Sequence, residues 1–169
     1  MSRPESTSRR RVLATVGTGV AAAAAGCLGS GNLGGQPTYQ EGTVSGINAS
    51  NVSNRSATQL SAAAALAQQQ PSDSVTPLEP LSLRDHEFVV ESGYLGSTIQ
   101  GTVENTGSSR IQTVEVRTRV YDDDERMLGR YLASTGDLTG GASWAFQVIV
   151  LESPVAVASY DIAVLGTPS

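Results

Sequence analysis

The chain has no lysine, one cysteine, one histidine, one tryptophan and two phenylalanines in 169 residues. Each scarcity removes a class of chemistry. Without lysine there is no Ser–Lys nucleophile pair. A single cysteine cannot close an intramolecular disulfide, nor can it build a multi-cysteine zinc or redox site. A single histidine leaves no partner for a His-rich metal site, and a cupredoxin-type copper centre needs a free cysteine beside its histidines. No basic patch offsets the acidic composition, which argues against nucleic-acid binding. No apolar run spans a membrane: Val12 to Ala25 is 14 residues, mostly Ala, Gly, Thr and Val, whereas a spanning helix needs about 20 strongly apolar ones.

What is present begins at the N-terminus. Ser8-Arg9-Arg10-Arg11-Val12-Leu13 precedes that short apolar run, which ends at Ala24-Ala25-Gly26-Cys27. A basic start, a modest apolar core and small residues are the three parts of an export signal. Ser-Arg-Arg-x-Val-Leu resembles the twin-arginine consensus, with Arg9 and Arg10 as the pair. Ala-Ala-Gly-Cys resembles a lipobox, without its usual Leu. The sequence therefore predicts a signal peptide over 1–26 and lipid on Cys27. The expected place is the outer face of the cytoplasmic membrane.

Removal of residues 1–26 takes away four of the 11 arginines and one of the 16 acidic residues, leaving a net charge of −8. An acidic, lysine-free chain resembles the proteins of extreme halophiles, where net charge keeps a protein soluble in screening salt.

Residues 27–84 are rich in Gly, Ser, Ala, Asn, Gln and Pro, with Tyr39 as the one aromatic. Such composition buries too little apolar surface to offset ordering entropy. The expectation is a disordered tether reaching about 40 Å on average, with a marginal helix over 57–70 ended by Pro71. Three Asn-x-Ser acceptors stand head to tail at Asn48, Asn51 and Asn54. They are potential N-glycosylation sites in an exported chain, against the plainer reading of a polar linker.

From about Asp85 the pattern changes to period two. Phe88 and Val90 alternate with polar neighbours; Ile99, Gly101 and Val103 follow. Val114, Val116, Thr118 and Val120 alternate with Glu115, Arg117, Arg119 and Tyr121. Trp144, Phe146, Val148 and Val150 come next, then Tyr160, Ile162 and Val164. Alternation of β-branched and aromatic residues predicts half-buried strands, separated by Gly-, Asn- and Pro-containing turns. The expected fold is all-β, an antiparallel sandwich of six to seven strands over 85–169.

Val103-Glu104-Asn105-Thr106-Gly107, Val114 through Val120-Tyr121-Asp122, and Leu138-Thr139-Gly140-Gly141-Ala142-Ser143-Trp144-x-Phe146 resemble the FxLYD-type domain of exported lipoproteins. In its signature Tyr121 and Asp122 match, Val120 replaces Leu and Thr118 replaces Phe. The resemblance covers about 85–167 and implies an immunoglobulin-like β-sandwich. It implies no catalytic residues, and fold alone delivers no function.

Few residues invite a site. Asp122, Asp123, Asp124 and Glu125 could hold Ca²⁺ or Mg²⁺ through oxygen ligands; their spacing is not that of an EF-hand, and a solvated acidic turn is the simpler reading. In that turn Asp122 is expected to bind backbone amides. His86 is expected at the surface or a sheet edge, Trp144 in the core and Tyr94 on an exposed loop. The expectation is a binding or structural module of the cell envelope, with no enzymatic activity and no cofactor. Its partners would be the membrane, through lipid on Cys27, and an envelope protein or glycan. One alternative is a lipoprotein that binds a small solute or divalent ion. Another is a hydrolase using carboxylates such as Asp122 and Asp124, which would need two carboxyls converging across a cleft.

Overall fold

The computed structural model describes residues 35–47, 52 and 54–169. Seven strands, one α-helix and a short 3-10 turn (Pro154–Ala156, between β6 and β7) follow in the order β1 (Gln40–Thr43), α1 (Ala57–Ala67), β2 (Leu81–Val90), β3 (Ser97–Asn105), β4 (Ile111–Tyr121), β5 (Met127–Leu138), β6 (Ser143–Ile149) and β7 (Ser159–Pro168). They form two antiparallel sheets, ordered β1-β7-β4-β5 and β2-β3-β6. The expected all-β sandwich is the fold. In immunoglobulin lettering, β2, β3 and β6 take places A, B and E, and β5, β4 and β7 take C′, C and F. The edge place of G is filled by β1, which comes from the N-terminal side of the domain.

The alternating residues build the core between the sheets. Ile99, Val103, Val114, Val116, Val120, Val148, Val150 and Ile162 are fully buried there. Phe146 closes over Gly101, where a Cβ would lie 2.8 Å from its ring. Trp144 is half-buried against this core, its ring 5.9 Å from that of Phe146.

The tether expected over 27–84 needs correction for its described residues. β1 pairs with β7 along Gln40–Thr43. Thr76 bridges to Gly166 with two backbone hydrogen bonds of 2.9 and 2.8 Å. β2 starts at Leu81, before the expected boundary at Asp85. The expected helix forms over Ala57–Ala67, capped reciprocally by Ser56 and Gln59, with Ala63 buried and Leu60 and Leu66 exposed. The physical reason is that an existing sheet edge offers backbone partners, so Gln-Glu-Gly-Thr can become a strand without apolar content.

The segment 69–76 also roofs the outer face of the four-stranded sheet. Ala163 and Leu165 on β7 alternate with the inward Ile162 and Val164, so they point outward; both are nonetheless buried. Glu115, an outward residue in the alternation, is only 1% exposed. Its carboxylate accepts the Ser72 N–H at 3.1 Å and pairs with Arg117, whose Nη2 donates to the Ser72 carbonyl at 2.9 Å.

Candidate functional site

Arg9, Arg10, Cys27, Asn48 and Asn51 lie outside the described residues. Asn54 is docked on the sandwich: its Oδ1 accepts from Ser153 Oγ at 3.0 Å. The next residue, Arg55, is a latch that sequence reasoning missed. Its Nε donates to the Tyr94 carbonyl and its Nη1 to the Val150 carbonyl, each at 2.9 Å, and its Nη2 reaches Leu95 and Ser97. Partial burial pulls the guanidinium pKa below its ordinary value. No sequence periodicity marks this residue, because carbonyl acceptors carry no residue signature.

The acidic turn is organised by its own arginine. Asp122 Oδ1 accepts backbone N–H groups of Asp124 and Arg126 at 3.0 and 2.8 Å, and Oδ2 accepts from Arg126 Nε at 2.9 Å. The Arg126 backbone N–H is the main cause that holds the Asp122 carboxyl below its usual range. Asp124 pairs with Arg126 Nη2 at 2.8 Å. Carboxylate oxygens of Asp122, Asp123 and Asp124 come within 4.8 Å of one another. Glu125 sits outside that group and turns the chain at φ 60°. A cation at this turn would have to compete with Arg126 for Asp122 and Asp124. The expected role of Asp122 as acceptor for turn amides is what the bonds show.

His86 stands on β2, a sheet edge as expected, but its ring turns inward. Nδ1 and the Tyr160 hydroxyl are 2.7 Å apart, and the rings meet edge to face at 5.5 Å. Burial lowers the His86 pKa, against the pull of Asp85. Burial chiefly, with Glu87 nearby, pushes Tyr160 up to about 12. Tyr94 is exposed, as its loop position predicts.

The arginines of β4 and β5 make the arrangement that could hold a ligand. Outward alternation puts Arg117 and Arg119 on one face, and the β4–β5 register sets Arg117 opposite Leu132 and Arg119 opposite Arg130. Segment 69–76 roofs one side and residues 36–39 wall the other. Between them lies an open groove of about 670 Å³, lined in part by Tyr39, Gln69, Arg117, Arg119 and Arg130. Arg119 grips Asp161 with two guanidinium nitrogens. The Tyr121 hydroxyl donates to the same carboxylate at 3.0 Å, and the Tyr39 ring lies 3.7 Å from the Arg119 guanidinium carbon. Hydrogen bonding to Asp161 is the first cause of a raised Arg119 pKa. Sequence reasoning saw these arginines only as the polar side of a strand; their convergence with Arg130 follows from register.

Comparison with known proteins adds little to this geometry. No family model matches the chain. No solved structure matches it. The chain is similar to an uncharacterized protein of Methanocaldococcus jannaschii, with 30% identity over 87 residues, which cover 50% of this chain and 64% of that protein. The match thus spans less than two thirds of that relative's length.

Proposed function

We propose that the chain is an exported lipoprotein, held to the outer face of the cytoplasmic membrane through Cys27, whose FxLYD-like sandwich works as a non-enzymatic binding module. One observation carries this reading: Arg9-Arg10, a 14-residue apolar run and the chain's sole cysteine stand in that order, which is the order an exported, lipidated precursor requires. No helix among the described residues is long and apolar enough to cross a membrane.

The sandwich geometry supports binding over chemistry. Its interior is filled with fully buried side chains, and its grooves lie open on the outside. Asp122 and Asp124 are tied to Arg126 in one turn and do not converge across a cleft, as general acid–base work needs. Because β1 starts at Gln40, the chain from Cys27 to the first strand can reach at most about 45 Å. The module would therefore work close to the membrane, and ligand capture on its outer sheet face is the reading the arginine groove favours.

Fractionation of cells tests the anchor. Cys27→Ala should move the protein from the membrane to the soluble exported fraction, and replacing Arg9 and Arg10 together should leave precursor in the cytoplasm. Tight membrane association of Cys27→Ala would overturn the lipid anchor.

A further inference from the structure

We infer that the groove over β4 and β5 is a binding site for a carboxylate carried on a small hydroxylated molecule, a sugar acid in chemical class, with Arg130 as its charged contact. The inference rests on the reading of the sandwich as a binding module and is independent of the lipid anchor.

Arg130 is singled out by what its charge lacks. Each of the other arginines among the described residues has an acceptor of full or partial negative charge. Arg84 pairs with Glu104, Arg110 with Asp137, Arg117 with Glu115, Arg119 with Asp161, and Arg126 with Asp122 and Asp124. Arg55 is held by backbone carbonyls. Arg130 alone among them has neither a carboxylate nor a carbonyl; its Nε lies 3.3 Å from Met127 Sδ. It is also set directly opposite Arg119 across the β4–β5 pair, and like charges directly opposite on neighbouring strands are destabilising. In a chain with 16 acidic residues, an unpaired arginine placed against another arginine is a position that an incoming anion would relieve.

The surroundings define the anion. Arg119 and Arg117 already hold Asp161 and Glu115, so the groove carries one uncompensated positive charge and suits one negative group. A guanidinium fork matches a planar carboxylate with two parallel bonds. Gln69 Oε1 accepts from Ser134 Oγ at 3.2 Å, which leaves its amide N–H groups for a ligand oxygen. Tyr39 also lines the wall, its ring against the Arg119 guanidinium. Gln69 suits ligand hydroxyls, and Pro37, Pro71 and Leu132 of the same lining suit the C–H face of a sugar ring. The volume of about 670 Å³ lies within the usual range for small-molecule sites, about 300–1,000 Å³.

Calorimetric titration of the full chain in detergent with galacturonate, galactose and inorganic sulfate tests the site. Galacturonate should bind saturably and more weakly as salt rises, galactose should not saturate, and sulfate should bind less tightly than galacturonate. Arg130→Gln, at an exposed position, should not lower the melting temperature and should weaken galacturonate at least tenfold; Arg130→Lys should lie between. Equal binding of galacturonate and galactose, an unchanged Kd in Arg130→Gln, or a preference for sulfate would each overturn the inference. Release of Cys27→Ala alongside absent galacturonate binding would refute the groove alone. Saturable galacturonate binding with Cys27→Ala still on the membrane would refute only the anchor.

Discussion

Replacement of Asn105 by alanine should be among the most damaging single changes to this fold. Asn105 ends β3 and is fully buried. Its amide nitrogen donates to the carbonyls of Ser109 and Leu138 at 2.8 and 3.0 Å, and its Oδ1 accepts the Gly107 N–H at 3.1 Å. Its backbone joins the β5–β6 turn through Ala142 O and the Gly141 N–H. One side chain therefore ties three chain segments together. The Leu138 bond is buried, so its orphaned carbonyl should cost about 1–3 kcal/mol. The other two bonds are partly buried and reachable by water, adding about 0.5–1.5 kcal/mol each. A loss of about 3–4 kcal/mol follows, or on the order of 10 °C in melting temperature for a domain of this size. Urea unfolding followed by Trp144 fluorescence measures it. Asn105→Asp should be as harmful at neutral pH, because a carboxylate would face two carbonyl oxygens. A loss below about 1 kcal/mol in Asn105→Ala, or a harmless Asn105→Asp, would refute the strut.

Three further outcomes follow from the geometry. Stability should fall at both ends of the pH scale. The folded-state pKa of His86 lies below its unfolded value, so that contribution is present above about pH 6.5 and lost as pH falls below it. Tyr131 and Tyr160 rise to about 12 from about 10 unfolded, so their contribution is complete below pH 10 and lost as pH rises toward 12. Melting temperatures across this range, with Tyr160→Phe flattening part of the alkaline slope, check both signs. Arg55→Ala should cost about 2 kcal/mol and expose the chain around α1, read as faster chymotryptic cleavage near Leu60 and Leu66. Unchanged cleavage would mean that Arg55 is no latch. Gly42→Ala should cost about 1–3 kcal/mol by overpacking, since its Cβ would lie 2.2 Å from the Tyr160 ring; Gly35→Ala, with nothing within 4 Å, is the neutral control.

The parts of the fold that were legible in the sequence are those stabilised by apolar burial. Val114, Val116, Thr118 and Val120 alternate, and all four are buried inward. The same holds for Phe146, Val148 and Val150. The acidic turn was legible too, because an Asp accepting turn amides acts within a few residues of itself. What stayed hidden is stabilised by groups that leave no apolar period. β1 is Gln-Glu-Gly-Thr, joined to the edge of β7 by backbone bonds that any sequence can make. Segment 69–76 offers Val75 as its one buried apolar residue, yet it covers Ala163 and Leu165 and supplies the N–H and carbonyl of Ser72 to an ion pair. Composition-based reasoning counts apolar residues in the segment itself. It cannot count the apolar surface that a polar segment hides on its neighbour.

The same distinction explains the arginines. Alternation places Arg117 and Arg119 outward, but which arginine is paired depends on register, a property of two strands at once. Asp161 stands beside Arg119 because β7 aligns there, and Arg130 stands across from Arg119 because β5 does. A shift of β5 by one residue would turn Arg130 into the core and bring Leu132 out of its roofed position. The pattern that holds Tyr131 and Ala133 toward the core therefore also fixes Arg130 on the groove side. The groove charge is thus a consequence of core packing, and a core variant that slips β5 should abolish galacturonate binding without touching any groove residue.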